Sequence, residues 1–265
     1  MFSKFTLLKK YLRYYFTSSN GKGHGTHSPF VYNFITKVLN DAQSYPAYEN
    51  VELLRKQLFK NKTLLQIQDF GAGSVVNNEK NRSVKSIAKT ALKPKKYGQL
   101  LHRIAAHYQP KNIIELGTSL GITTCYLAKA NNKSNVHTLE GSTMVAKTAR
   151  ENFEGQNIFN IEMHLGNFDN TLLEVLAKMP SVDLAFVDGN HKEKPTLKYF
   201  QELLVKAKED SIFIFDDIHW SREMEDAWAK IKLHGSVTIT IDLFFIGIVF
   251  FRKEQKVKQH FTIRF

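Results

Sequence analysis

From residue 97 onward the sequence predicts a doubly wound α/β domain with a mainly parallel sheet. Three observations carry this. Short apolar runs alternate with segments of helical periodicity. Four of the runs deliver a carboxylate at or near their ends: Glu115, Glu140, Asp188 and Asp216. The first run, Asn112 to Leu116, passes through Gly117-Thr118-Ser119-Leu120-Gly121 into a helical pattern, the strand, tight turn and helix that open a nucleotide-type site.

The elements follow in order. Residues 1–17 read as a helix in which Phe2, Phe5, Tyr11, Tyr14, Tyr15 and Phe16 alternate with Lys4, Lys9, Lys10 and Arg13. A glycine-rich loop over 21–29 carries His24 and His27, expected in a lid or substrate wall rather than on a metal. Ser28-Pro29 opens the next helix, since proline suits a first helical turn. Tyr45–Phe59 is a further helix, and 60–96 is polar and basic. Within it, Asp69-Phe70-Gly71-Ala72-Gly73-Ser74 imitates a glycine loop but has no amphipathic helix after it, and is expected to be a surface loop. Tyr97–Tyr108 is helical. Strands are expected at 112–116, 135–139, 159–164, 182–187 and 211–215, with a closing pair near 236–252 that turns at Phe245–Gly247 and forms an antiparallel hairpin at one sheet edge. Helices are expected at 121–130, 142–153, 169–178, 195–208 and 221–233. The expected organisation is a basic, mostly helical region over 1–95, acting as a lid or substrate cap, and an α/β domain over 96–265.

The chain has 265 residues, room for one large domain with an appendage, and its 43% hydrophobic content suffices for a core. A single cysteine, Cys125, excludes an internal disulfide and suits a reducing compartment. It falls among small and apolar neighbours and is expected in the core. The longest apolar run, 243–251, is far short of a membrane span, and residues 1–20 lack the apolar centre of a signal peptide. The cytoplasm is the expected location. Net charge is +12, and it is polarised: residues 1–100 carry 17 Lys and Arg against 5 Asp and Glu, whereas 101–265 carry 20 of each. An anionic partner or membrane surface at the N-terminal region is one reading, and a helix with a solvated basic face is the other.

The loop after the first strand is not the dinucleotide fingerprint. Ser119 stands where that motif needs a glycine for backbone approach to a pyrophosphate. The site suits an adenosine without a diphosphate, and Glu140 is placed to accept hydrogen bonds from ribose hydroxyls. At the later strands, Asp188, Asp216 and Asp217 repel one another unless protons or a cation compensate. Oxygen ligands suit Mg²⁺ or another hard divalent ion. His191, three residues after Asp188, is a candidate general base.

Together these residues resemble the class I S-adenosylmethionine-dependent methyltransferases, with Gly117, Thr118, Ser119 and Gly121 as motif I and Glu140 at the motif II acid. Asp188, with Asp216, Asp217 and Trp220 in D-N-x-x-W-like spacing, is similar to the cation-dependent O-methyltransferases of the catechol and caffeoyl-CoA type. The resemblance spans about 97–252. It implies a Rossmann-like fold, S-adenosyl-L-methionine as cofactor and a small-molecule hydroxyl as acceptor. It assigns Gly98, Glu115, Asn167, Phe168 and Asp188 to the cofactor pocket, catalysis to His191 and Asp188, and a metal to Asp188, Asp216 and Asp217. Asp217 replaces a typical Asn, and His191 stands where a catalytic Lys is common. Two alternatives remain: an RNA methyltransferase gripping phosphates with the basic region, disfavoured because Asp188-Gly189-Asn190-His191 is not an amino-methylation motif, and a non-catalytic membrane-surface module.

Overall fold

The structure is a computed structural model, and it describes residues 1–67 and 81–265. The glycine loop expected over 69–74 lies outside the described residues. The chain forms two compact units, one of residues 1–41 with 179–265 and one of residues 42–178.

The N-terminal part of the first unit is helical. Helix α1 (Lys4–Thr17) starts at Ser3, whose hydroxyl accepts the Thr6 N–H at 3.1 Å. Helix α2 (Pro29–Phe34) is capped by Ser28, with proline in its first turn as expected. It runs into a π-helical turn over Ile35–Leu39, where the Asn40 N–H reaches back to the Ile35 carbonyl at 3.0 Å. Phe34, Ile35 and Val38 are fully buried.

The second unit holds helix α3 (Pro46–Leu58) and a two-stranded antiparallel ribbon of β1 (Leu64–Gln66) and β2 (Asn81–Ser83). Helices α4 (Val84–Ala91) and α5 (Lys95–Tyr108) follow. Then come β3 (Asn112–Leu116), α6 (Ile122–Ala130), β4 (Asn135–Glu140), α7 (Thr143–Gly155), β5 (Ile161–Leu165) and α8 (Phe168–Lys178). The three strands run parallel in the order β3, β4, β5, with Ile113 opposite Val136 and Leu139 opposite His164. Every residue of β3 is buried, as expected of a parallel strand covered on both faces.

The first unit is completed by β6 (Val182–Val187), α9 (Glu193–Leu204), β7 (Ala207–Asp216), α10 (Arg222–Leu233), β8 (Ile239–Asp242), β9 (Ile246–Phe250) and β10 (Gln259–Thr262). Strand β6 pairs with β7 in parallel, β9 pairs antiparallel with β7 and β8, and β10 pairs in parallel with β8. Four of these main ladders are parallel and two antiparallel. The fold is therefore α/β and mainly parallel, with the expected hairpin near its C-terminus. Two details differ. The hairpin turns through Leu243–Phe245, where Phe244 takes a left-handed φ of 70°, so Gly247 lies inside β9. Gly247 is needed there for packing, because a Cβ would stand 2.7 Å from the Trp228 ring. The hairpin is also not an edge. β10 covers β8, and its short, polar Gln259-His260-Phe261-Thr262 has too little apolar alternation to announce a strand.

The N-terminal helices are built into the first unit by aromatic contacts. Phe30 meets Phe250 edge-on at 4.9 Å, and Tyr11 and Tyr14 meet Phe244 at 5.1 and 5.3 Å. The Tyr14 hydroxyl donates to the Ile263 carbonyl and accepts the Phe265 N–H.

Candidate functional site

In the second unit, the loop between β3 and α6 is shaped by backbone requirements. Gly117 and Gly121 have φ of 104° and 81°, angles that disfavour any side chain. At Gly121 a Cβ would also lie 2.4 Å from the Phe153 ring, so α7 closes on the loop only because no side chain is present. Ser119 takes φ 49°, a conformation that costs a residue with a Cβ on the order of 1–2 kcal/mol. It is held there by the Ser119 N–H, which donates to Glu140 Oε2 at 2.8 Å, a bond to an ionised acceptor and so stronger than a neutral one.

Glu140 ends β4 and is anchored through both oxygens. Its Oε1 accepts the Ser142 N–H at 2.9 Å. The Gly117 and Thr118 N–H groups meet the Leu139 carbonyl at 3.0 and 3.2 Å, so the loop is stitched to the strand end by backbone and carboxylate alike. Beneath it, Glu115 has no exposed surface. A buried carboxylate is costly unless it is hydrogen-bonded. Glu115 Oε2 accepts from Thr124 and, at 2.7 Å, from Thr138, while Thr138 also meets Thr118 at 2.6 Å. This chain of hydroxyls fixes β3, β4, the loop and α6 to one another. Sequence reading singled out Glu115 but missed Thr124 and Thr138, which no motif marks.

The other residues expected at a cofactor pocket are placed as follows. The Asn167 carbonyl and side chain close the first turn of α8 by accepting the Thr171 and Asp169 N–H groups. Phe168 opens that helix and is half-buried. Gly98 sits in α5 against Tyr126, where a Cβ would come within 2.7 Å of the ring. Cys125 lies in the core on α6, and burial, with the Glu115 charge adding to it and Lys129 opposing, pushes its thiol up to about 12. It is an inert packing residue.

In the first unit, β6 and β7 bring Asp188, His191 and Asp216 together, with one ligand atom of each within 4.8 Å of the others. His191 Nε2 lies 3.5 Å from Asp188 Oδ1. Asp216 is fully buried, whereas Asp188 and His191 are partly open. Asp217 is not in this group. Its left-handed φ of 54° turns the chain out of β7, its N–H donates to the Phe245 carbonyl at 2.7 Å, and its carbonyl accepts the Trp220 N–H. Two carboxylates and an imidazole converging on a point form a donor set that fits a divalent cation. His191, expected as a general base, lies within ligand distance of Asp188 and Asp216. His24 and His27 are exposed and belong to neither cluster of potential ligands among the described residues.

His219 stands just before Trp220, after the turn that ends β7. The structure makes it a hub: Nδ1 meets Glu225 at 3.0 Å and Nε2 meets Asp242 at 2.9 Å, while its ring stacks on Phe244. Asp242 also accepts from Trp228 Nε1 and the Phe244 N–H, and Glu225 accepts from Lys10 Nζ at 2.9 Å. Burial disfavours the imidazolium, but the hydrogen bonds and charges of Asp242 and Glu225 outweigh it and raise the pKa. Glu225 is only six residues from His219, but Asp242 and Lys10 come from other parts of the chain, so no local pattern announces the hub.

Residues 114–218 match the family model Methyltransf_24, described as a methyltransferase domain. A catechol O-methyltransferase from Niastella koreensis is 27% identical over 124 residues, 46% of this chain and 55% of that protein. The chain thus spans about half the length of the curated relative it matches. Among solved structures, an O-methyltransferase from Bacillus cereus in complex with SAH superposes with a TM-score of 0.54 at 18% identity, over 80% of this chain and 93% of that one. The SAH-bound methyltransferase PaMTH1 from Podospora anserina superposes at 0.58 with 14% identity, covering 96% and 98%. At these identities the structural likeness establishes the fold, which is that of Rossmann-like methyltransferases.

Proposed function

We propose that this chain, whose residues 114–218 match a methyltransferase domain and whose fold is that of Rossmann-like methyltransferases, transfers a methyl group from S-adenosyl-L-methionine to a small-molecule hydroxyl. The observation that carries the reading is the Glu140 carboxylate, locked by the Ser119 and Ser142 N–H groups at the mouth of a loop that turns on Gly117 and Gly121. A fixed carboxylate beside such a loop suits a ribose, and the absence of the dinucleotide glycine argues against a pyrophosphate. Gly117, Thr118, Ser119, Gly121 and Glu140 are assigned to the cofactor directly. Glu115 and Gly98 act by holding the elements around them, and Asn167 and Phe168 are assigned to the adenine side.

The acceptor's chemistry is assigned to Asp188, His191 and Asp216. His191 takes the proton from the acceptor hydroxyl, and Asp188 at 3.5 Å stabilises the imidazolium that results. The oxygen attacks the methyl carbon, a carbon–oxygen bond forms, the carbon–sulfur bond breaks, and the products are a methyl ether and S-adenosylhomocysteine. Most of the acceleration then comes from proximity and alignment. As the alternative to His191 acting as base, Asp188, His191 and Asp216 would together hold a divalent cation, which would supply acidification of the hydroxyl in place of the imidazole. Acceptor choice is assigned to residues before 96. The named activity of the Niastella relative makes aromatic vicinal diols the first acceptors to try. The test is transfer of labelled methyl from S-adenosylmethionine to a panel of such diols and their monohydroxy analogues. Ether formation that falls with His191→Ala supports the reading, and no transfer to any hydroxyl acceptor refutes it.

A second reading concerns the partner of α1. Phe5, Leu8, Leu12 and Phe16 form an exposed stripe at helical spacing, beside exposed Lys4, Lys9 and Arg13. We infer that this face lies on an anionic membrane surface. Among the described residues no helix is long and apolar enough to cross a membrane, so contact would be peripheral, from the cytoplasm that suits a lone buried thiol. Co-sedimentation with phosphatidylserine vesicles but not phosphatidylcholine vesicles, lost in F5D/L12D, is the expected result. Equal sedimentation of the variant would refute it.

A further inference from the structure

We propose that His137, Glu162 and His164 form a second metal site, selective for Zn²⁺, that ties β5 to β4. In the parallel ladder His137 stands opposite Glu162, and Leu139 stands opposite His164. Side chains two apart on a strand share a face, so all three project from the same side. The rings stack at 5.4 Å with 19° between their planes. His137 Nδ1 lies 3.1 Å from His164 Nε2, and Glu162 offers one carboxylate oxygen to each ring, Oε2 at 3.5 Å to His137 and Oε1 at 3.6 Å to His164.

These separations fit one ion. Tetrahedral zinc with bonds of roughly 2.0–2.1 Å has ligand atoms about 3.3 Å apart, while octahedral geometry with the same bonds brings them to about 2.9 Å. The two ring nitrogens, 3.1 Å apart, stand near the tetrahedral value, and one Glu162 oxygen lies within 4.8 Å of both, close enough to complete the set by a side-chain rotation. Two imidazoles and one carboxylate are a nitrogen-rich set that suits Zn²⁺ over Mg²⁺, and the fourth position is left for water. In the ion's absence the two ring nitrogens share a proton between them, so binding exchanges that hydrogen bond for two metal bonds through a change of tautomer in one ring. Both histidines are mostly buried, at 15% and 16% side-chain exposure, while Glu162 at 63% opens the site to solvent. The ion can therefore enter without unfolding the sheet. Strand β5 is the outer strand of its set, and a metal bridge to β4 would pin it.

The experiment uses the full chain carrying His191→Ala, which disables the other ligand cluster. Calorimetric titration of the metal-free protein with ZnCl₂ is expected to show one ion per chain and a raised melting temperature. The Co²⁺ form is expected to show the intense visible bands of tetrahedral coordination, and millimolar Mg²⁺ does not displace the ion. Glu162→Gln, an exposed change that leaves the fold intact, and His164→Gln should each weaken binding at least about tenfold. Failure to bind Zn²⁺, affinity unchanged in both variants, or displacement by Mg²⁺ would each overturn the proposal.

Discussion

The Ser119 N–H and the Glu140 carboxylate, 2.8 Å apart, join the turn after β3 to the end of β4. Ser119 is held in a left-handed conformation by the same carboxylate that we assign to the ribose. The loop's shape and its charge are thus one feature, and removing the carboxylate disturbs both.

Glu140→Ala is therefore expected to weaken S-adenosylhomocysteine binding by about tenfold to a hundredfold, the worth of one or two hydrogen bonds to a charged group. Glu140→Gln should lose less, since the amide still accepts the Ser119 N–H. Isothermal calorimetry measures both. An affinity for Glu140→Ala within twofold of the parent would remove Glu140 from the cofactor site.

Gly121→Ala meets two obstacles, a φ of 81° and a Phe153 ring carbon 2.4 Å from the new methyl. Overpacking and the left-handed penalty together should lower stability by about 2–4 kcal/mol, read as a lower urea midpoint. Paired with Phe153→Leu, part of the loss should return. A midpoint equal to the parent's would mean that the loop is not packed as described.

Much of this was legible in the sequence, and the reasons differ by residue. The run 112–116 is buried throughout, and its Ile113, Ile114 and Leu116 announce a covered strand, while Gly117 and Gly121 mark angles that other residues avoid. Local chemistry of this kind is written in the chain. The strand β10 was not, because its pairing to β8 is set by partners rather than by an apolar pattern of its own. Nor was the placing of His191, rather than Asp217, within ligand distance of Asp188 and Asp216. Spacing placed two carboxylates at the end of β7, but only the backbone reversal at Asp217 decides which one joins Asp188. The His219 hub needed Asp242 and Lys10 as well as the nearby Glu225, and tertiary contacts of that kind leave no local signature.

The His219 hub makes stability depend on pH in a defined sense. Its folded pKa is raised above the unfolded value near 6.5, so the folded chain holds this proton more tightly than the unfolded chain. The contribution is complete below about pH 6.5 and is lost as pH climbs through the raised folded value. The groups that set it are Asp242 and Glu225, the latter shared with Lys10. Melting curves from pH 6 to pH 9 should show the stability difference between the parent and His219→Gln shrinking as pH rises. A difference that stays constant or grows would contradict a charged His219.

Asp216→Asn separates the two halves of the chemistry. Asp216 is fully buried, with one carboxylate oxygen within 4.8 Å of ligand atoms of Asp188 and His191. Its substitution should leave S-adenosylhomocysteine affinity within about twofold while turnover falls and any response to chelator disappears. If turnover and its response to EDTA match the parent, the cation-assisted route is wrong.

The most direct measurement of the central claim is calorimetric titration of the intact chain with S-adenosylhomocysteine, with and without Mg²⁺. The account predicts one molecule bound per chain in both conditions, with NAD giving no heat. A folded protein that takes up neither S-adenosylhomocysteine nor S-adenosylmethionine would contradict it.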